Sequence, residues 1–376
     1  MTFTAVSITE MLLTALTVAA VPLTVVWVSS DADKYRKLIL VTLFLTFDLI
    51  MFGGFTRLTD SGLGCPDWPG CYGHANPLQA QTEIQVAQNA MPTGPVTHSK
   101  AWIEMIHRYL AMAVGLLIVT TMFIAWRRWL QSGRSVERFR PGWPTALFGL
   151  VCLQGAFGAW TVTLKLQPVI VTTHLLLGLS LLAALAWLAA RQQPIEPVAQ
   201  PAARTAAALR GPALAALLLL TMQIALGGWV STNYATLACT EFPMCQGGWI
   251  PQMDFTNGYT LWRDLGKTAG GDYLSFAALT AIHWTHRNFA LIVIAFTGWV
   301  GWRASRTEGL HMLGQWLMGA LALQFCTGVA TIFLHWPLLL AVMHNGGAAL
   351  LVLLLVMVNY RSRALAALNK VPARQS

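Results

Sequence analysis

Residues 101–110 read AWIEMIHRYL, with Glu104 three positions before His107 and Arg108 directly after it. On a helix, that spacing places the carboxylate and the imidazole on one face. An imidazole there suits metal ligation, and a carboxylate beside it suits holding a water or moving a proton. A second stretch, IHWTHRNF over 282–289, repeats the pattern with one change: His283 stands where Glu104 would be, His286 where His107 would be, and Arg287 where Arg108 would be. Two further histidines, His174 and His344, complete the set. Gln154, Gly158, Pro168 and His174 are echoed by Gln324, Gly328, Pro337 and His344. The four histidines therefore form two pairs, His107 with His174 and His286 with His344.

Those residues must be positioned by apolar helices. The chain has 376 residues, 56% hydrophobic and 10% charged, where a soluble domain carries roughly a quarter charged residues. This is the composition of a polytopic helical membrane protein. Stretches long enough to span, about 20 residues each, are expected near Glu10–Val28, Leu38–Phe55, Trp102–Trp126, Trp143–Leu164, Val169–Ala190, Pro212–Val230, Leu279–Trp302, Met312–Leu334 and Leu338–Tyr360. With nine spans, the loops bearing Lys34, Arg36 and Lys37, Arg127 to Arg140, Arg191 to Arg210, Arg303 and Arg306, and the basic tail all fall on one side. That side is the cytoplasm. The net charge of +9 is thus topological and excludes nucleic acid as a partner. The first apolar run lacks the basic start and small-residue exit of a cleaved secretion signal and is not an Arg-rich transit peptide, so a bacterial cytoplasmic membrane is expected, with the N-terminus outside.

The outer side then carries two long loops, 57–100 and 231–278. In each a Gly-Gly pair (Gly53-Gly54; Gly227-Gly228) precedes two cysteines at identical spacing, Cys65 and Cys71 in the first, Cys239 and Cys245 in the second. An oxidising compartment favours a short structural disulfide in each; a dithiol exchanging with a partner, or metal binding, are the other readings. Cys152 and Cys326, inside spans, read as small packing residues.

The repeat predicts two four-helix bundles in the same topology. The expected organisation is an accessory helix and loop over 1–37, a first bundle over 38–190, a linker over 191–211, a second bundle over 212–360 and a tail over 361–376. Each histidine pair lies at equal depth near the outer surface, as two axial ligands of a flat haem would. A zinc site would want further Cys or His. Arg108, Arg287 and Arg57 are candidate partners for haem propionates. Asp48, within the second span, reads as an interhelical hydrogen bonder. Because the halves share ligands but differ at Glu104 and His283, one site is expected to do chemistry and the other to carry electrons.

GGFTRLTDSGLGCPDWPGC, EMIHRY, THLLLG, HWTHRN and MHNGGA resemble the haem A synthase family of bacterial and mitochondrial inner membranes, over about Leu38 to Tyr360. The resemblance implies oxidation of a methyl group of haem O to the formyl group of haem A, the cofactor of terminal oxidases. It implies haem b at His286 and His344, and haem O processed at His107, His174 and Glu104. Cys65 and Cys71 match the family's first-loop cysteines, while the second pair is shared by only part of the family. The first span departs from the family's eight-helix plan. Expected partners are haem O and haem A, an electron-transfer partner, the haem O synthase, terminal oxidase assembly factors and lipid, with a homo-oligomer open. The competing reading is a bis-histidine electron carrier or haem chaperone that leaves its ligand unchanged; a transporter is more distant, since the paired broken helices are missing.

Overall fold

The computed structural model describes residues 5–368. Among them the chain is helical, and its only strand-like pairings are two isolated bridges in the outer loops, Cys71 with His74 and Cys245 with Gly248. Apolar runs without polar interruption satisfy their backbone internally, which is why helices are the element a bilayer admits. The elements are α1 (Ala5–Val28), α2 (Lys34–Leu58), α3 (Gln81–Ala90), α4 (His98–Gln131), α5 (Gly142–Thr163), α6 (Pro168–Ala190), α7 (Gln200–Ala208), α8 (Arg210–Thr232), α9 (Phe255–Gly258), α10 (Phe276–Ser305), α11 (His311–Phe333) and α12 (Leu338–Leu368).

All nine expected stretches are helical. Eight of these helices are long and apolar enough to cross a membrane; α10, 30 residues long, falls outside that set. His283, His286, Arg287 and Asn288 sit together in its outer half and dilute its hydropathy. The exception is the one ligand-bearing helix with two histidines and an arginine within five residues.

The described residues fall into two compact units. The first runs to Leu188 and includes Leu261–Gly271; the second comprises Ala189–Thr260 and the part of the chain from Asp272 onward. In unit 1, α4 packs on α1, α2 and α5, and at its inner end the Trp126 indole donates to Thr145 Oγ1 at 3.0 Å while Trp143 donates to the Ala184 carbonyl at 2.9 Å, joining α4, α5 and α6. In unit 2, α10 packs on α8 and α11, and α12 on α8 and α11. Asn359, buried in α12, donates to the Ala213 carbonyl of α8 at 2.9 Å.

Local sequence explains where the helices start and stop. Thr97 caps α4 and Ser275 caps α10, each side chain accepting an N–H three residues on. The helices α5 and α11 end in matching left-handed turns, Lys165-Leu166 and His335-Trp336, all four residues at positive φ. In each turn the second residue's N–H reaches five residues back at 2.8 Å, Leu166 to Thr161 and Trp336 to Thr331. A proline then opens the next helix or directly precedes it, in positions where its missing N–H costs nothing.

A paired histidine site in each unit

Each of the four histidines is seated on a glycine of the spanning helix before it. A Cβ built on Gly53 of α2 would stand 3.1 Å from His107 Nε2, and one on Gly158 of α5 would stand 3.2 Å from His174 Cε1. In unit 2 the same holds for Gly227 of α8 against His286 Cε1 (2.9 Å) and Gly328 of α11 against His344 Cε1 (3.0 Å). A Cβ at Gly227 would force its ring to shift, and at the other three the ring would have to give by a few tenths of an ångström, so the rings lie directly on helix backbone. Close approach of this kind is what small residues permit between membrane helices.

Glutamines hold the rings from the side. Gln154 Nε2 lies 3.4 Å from His174 Nε2 and Gln324 Nε2 lies 3.3 Å from His344 Nε2; Thr327 Oγ1 meets His344 Nδ1 at 3.1 Å. Gln223 Nε2 donates to His286 Nδ1 and to the His286 carbonyl, both at 3.0 Å. His107 lies parallel to the Phe52 ring, 6.3 Å between centroids.

These sites carry polar atoms that the described residues leave unmatched: His174 Nδ1 and the Oε1 atoms of Gln154, Gln223 and Gln324 are buried and lack a hydrogen-bond partner. Buried orphans in a membrane core are costly. No group of three or more His, Cys, Asp or Glu is arranged to hold a bare metal ion among the described residues, whereas such an ion wants three or four protein ligands. A porphyrin brings four nitrogens of its own and asks the protein for two axial imidazoles. The donor set and the ring seats fit haem.

Glu104 and Arg108 are tied into the first outer loop. The Cys65 N–H donates to Glu104 Oε2 at 2.8 Å, and Glu104 Oε1 forms a buried ion pair with Arg108 Nη2. Arg108 Nη1 donates to the carbonyls of Asp67 (3.0 Å), Pro69 (3.2 Å) and Gly70. Expected at a haem propionate, Arg108 is instead engaged with the loop, because its neighbour one turn back is a carboxylate and the loop turns three carbonyls toward it. The loop is further folded by Asp67, whose carboxylate accepts the Tyr72 and Gly73 N–H groups at 2.6 Å each. Burial, together with the nearby Asp67 and Glu83 carboxylates, pushes the Tyr72 phenol up. Cys65 and Cys71 form a buried disulfide, as do Cys239 and Cys245.

Unit 2 builds the same loop with one connection missing. Arg287 Nη2 donates to the Pro243 and Met244 carbonyls at 3.1 and 3.3 Å, and its guanidinium lies 5.3 Å from the Phe242 ring. Glu241 Oε2 accepts the Gly247 N–H at 3.1 Å, in the place of Asp67. In the place of Glu104 stands buried His283, its ring edge-on to Trp336 at 6.4 Å. Arg287 thus has no carboxylate partner one turn back, and its Nη1 is buried without a hydrogen bond.

Arg57 pairs with Asp60 at 3.1 Å and lies one turn beyond Gly53, on the face that meets His107. Asp48 is exposed on α2 rather than bonded to a neighbouring helix, and Cys152 and Cys326 are free and exposed rather than packed inside their units. In the sequence, Gly53, Gly158, Gly227, Gly328, Gln154 and Gln324 stand out only as markers of the repeat; the structure assigns them to the rings. Spacing carries a signal for two of these contacts. Gln154 and Gly158 are four residues apart, hence on one helix face, and their counterparts Gln324 and Gly328 recur at the same spacing before His344.

The COX15-CtaA family model, described as cytochrome oxidase assembly protein, matches residues 36–356. The chain belongs to this family. A relative from Shewanella oneidensis named Heme A synthase is 39% identical over 323 residues, covering 86% of this chain and 95% of that protein. Proteins of the same name from Erythrobacter litoralis and Caulobacter sp. (strain K31) are 30% and 29% identical, covering 82% and 85% of this chain and 91% and 94% of their own lengths. The family match begins after α1, and all four ring glycines, all four histidines and both cysteine pairs lie inside it.

Proposed function

We propose that the chain is a haem A synthase, an oxidoreductase that converts a methyl group of haem O into the formyl group of haem A. The observation that carries this reading is an asymmetry within a repeat: two histidine sites with matching glycine seats and one matching glutamine contact each (Gln154 on His174, Gln324 on His344), of which only that of unit 1 has a carboxylate. The relatives' printed name supports the same reading. His107 and His174 would hold the substrate iron, and His286 and His344 would hold haem b. When bound there, haem b supplies one-electron redox chemistry. Two successive two-electron oxidations at one methyl, each drawing on an external oxidant and an oxygen donor, would give an alcohol and then a geminal diol, which loses water to the aldehyde.

The protein's own contribution is positioning and proton handling. Glu104 Oε2 accepts the Cys65 N–H and Oε1 pairs with Arg108, and a carboxylate offers about four lone-pair sites in all. The carboxylate can therefore accept a proton from a water or hydroxyl without leaving its anchors. In unit 2, the unpartnered Nη1 of Arg287 suits a propionate; in unit 1 Arg57 takes that part, exchanging Asp60 for the substrate's carboxylate. Glycine seats fix the imidazole planes, so substrate orientation is set by helix backbone rather than by mobile side chains. The cysteine-bearing loops face the outer side of a bacterial inner membrane, and the haem O synthase, an electron-transfer partner and terminal oxidase assembly factors are the partners in keeping with that place.

One observation favours the alternative of an electron carrier or haem chaperone: both Glu104 oxygens already serve the loop. Pigment extraction separates the two. The bound haems of the purified protein, from cells that make haem O, are identified by chromatography and mass analysis, with Glu104→Gln alongside. The synthase reading expects haem b together with haem O, its alcohol or haem A in the native chain, and haem O without haem A in the variant. Haem b alone in the native chain, or undiminished haem A in the variant, overturns the catalytic role.

A further inference from the structure

We propose that α1 is a clamp built into this chain that holds the first outer loop, and with it the Cys65–Glu104–Arg108 connection, against unit 1. The repeat and the family match both omit this helix: it has no counterpart before α8, and the match begins at residue 36. The structure nevertheless packs it on α4 and α2. Its contact stripe is Met11, Ala15, Ala19 and Val26, all buried, while Leu12, Leu16, Val21 and Val25 on the opposite side are exposed. Alanines at four-residue spacing let two helix backbones approach closely.

Both ends of the stripe are anchored. At the inner end Val26 shares a cluster with Leu38 of α2 and Leu117 of α4. At the outer end Met11 is 4% exposed and enters the cluster that contains Cys65, Cys71, Ala75, Ala80, Ile84, Met105 and Tyr109. Beside it, Gln79 Nε2 of the loop donates to Glu10 Oε2 at 3.0 Å. A helix that needed only to sit in lipid would have no use for a buried methionine and a polar contact at the disulfide. Since Glu104 accepts the Cys65 N–H at 2.8 Å, a loop that loosens takes away a partner that fixes its carboxylate. Met11, Glu10 and Gln79 are thus positioning residues. Their effect on turnover rests on the synthase reading; their effect on the loop does not.

The test uses the full chain, with unit 2 as internal control. Each disulfide's rate of reduction by a soluble phosphine is followed by alkylation and mass analysis of the cysteine peptides, in the native chain and in Met11→Ala, Met11→Leu and Gln79→Ala. Local opening should speed reduction of Cys65–Cys71 about tenfold in Met11→Ala, less in Gln79→Ala, and leave Cys239–Cys245 at the native rate. Met11→Leu, which conserves volume, should restore the native rate. Equal rates in all chains, or both disulfides accelerating together, overturn the clamp. Haem A formation in the same variants is read separately: loss of product only where the first loop opens extends the clamp to catalysis, while an opened loop with full product confines it to the loop.

Discussion

At the scale of single residues, the ring glycines tie the helix backbone directly to the histidine sites. A methyl group at Gly227 would sit 2.9 Å from His286 Cε1, and one at Gly158 would sit 3.2 Å from His174 Cε1. Because both rings lie against helix backbone, the imidazole rather than the glycine must move. Over-packing of this kind costs roughly 1–3 kcal/mol, and about 1.4 kcal/mol is tenfold in affinity. Gly227→Ala should therefore lower retention of the unit 2 haem about tenfold and broaden its low-spin bis-imidazole spectrum, with Gly158→Ala acting more mildly on unit 1. Haem content per chain and the optical spectrum check both. The histidines themselves were legible in the sequence, because ionisable side chains are costly inside apolar spans and a pair that recurs at matching positions in both halves points to a shared ligand. Arg108 was not, since its partners Asp67, Pro69 and Gly70 are some forty residues away and their carbonyls leave no mark in residue type.

At the scale of elements, the caps and loop anchors set how the helices meet. Asp33 caps α2 by accepting the Arg36 N–H at 3.1 Å and pairs with Arg138, in the loop between α4 and α5. Partial burial raises the Asp33 carboxyl, but the hydrogen bonds and charges of Arg138 and Arg36 outweigh it and hold the group below the ordinary carboxylate range. A depressed folded-state pKa stabilises above the unfolded-state value and loses that contribution as pH falls through the folded one. Asp33→Asn keeps the cap and removes the charge, so it should cost less than about 1 kcal/mol at neutral pH. Thermal unfolding from pH 7 down to about 3 should show native and variant converging as the carboxyl protonates. The nine expected apolar stretches are helical, eight of them long and apolar enough to span, and α10 shows where that reading thins: a helix carrying His283, His286 and Arg287 must give up apolar length to do so. The outer loops were less readable, because α3 and the left-handed Tyr72-Gly73 turn are held by tertiary contacts such as Asp67 rather than by local pattern.

At the scale of the whole molecule, the basic loops and the cysteine-bearing loops should lie on opposite sides of the membrane. A membrane-impermeant thiol reagent applied to reduced spheroplasts should label Cys65, Cys71, Cys239 and Cys245 from outside, and peptide mapping reads which are modified; labelling only after lysis would reverse the orientation. Within the membrane, by contrast, each unit exposes a single free thiol: Cys152 on α5 of the first and Cys326 on α11 of the second. Neither touches a ring seat or a loop anchor. A lipid-soluble maleimide carrying a fluorophore would thus mark the native chain once per half without any substitution. Energy transfer between the two dyes then turns the spacing of the halves into a ruler that can be watched while substrate is loaded and product leaves.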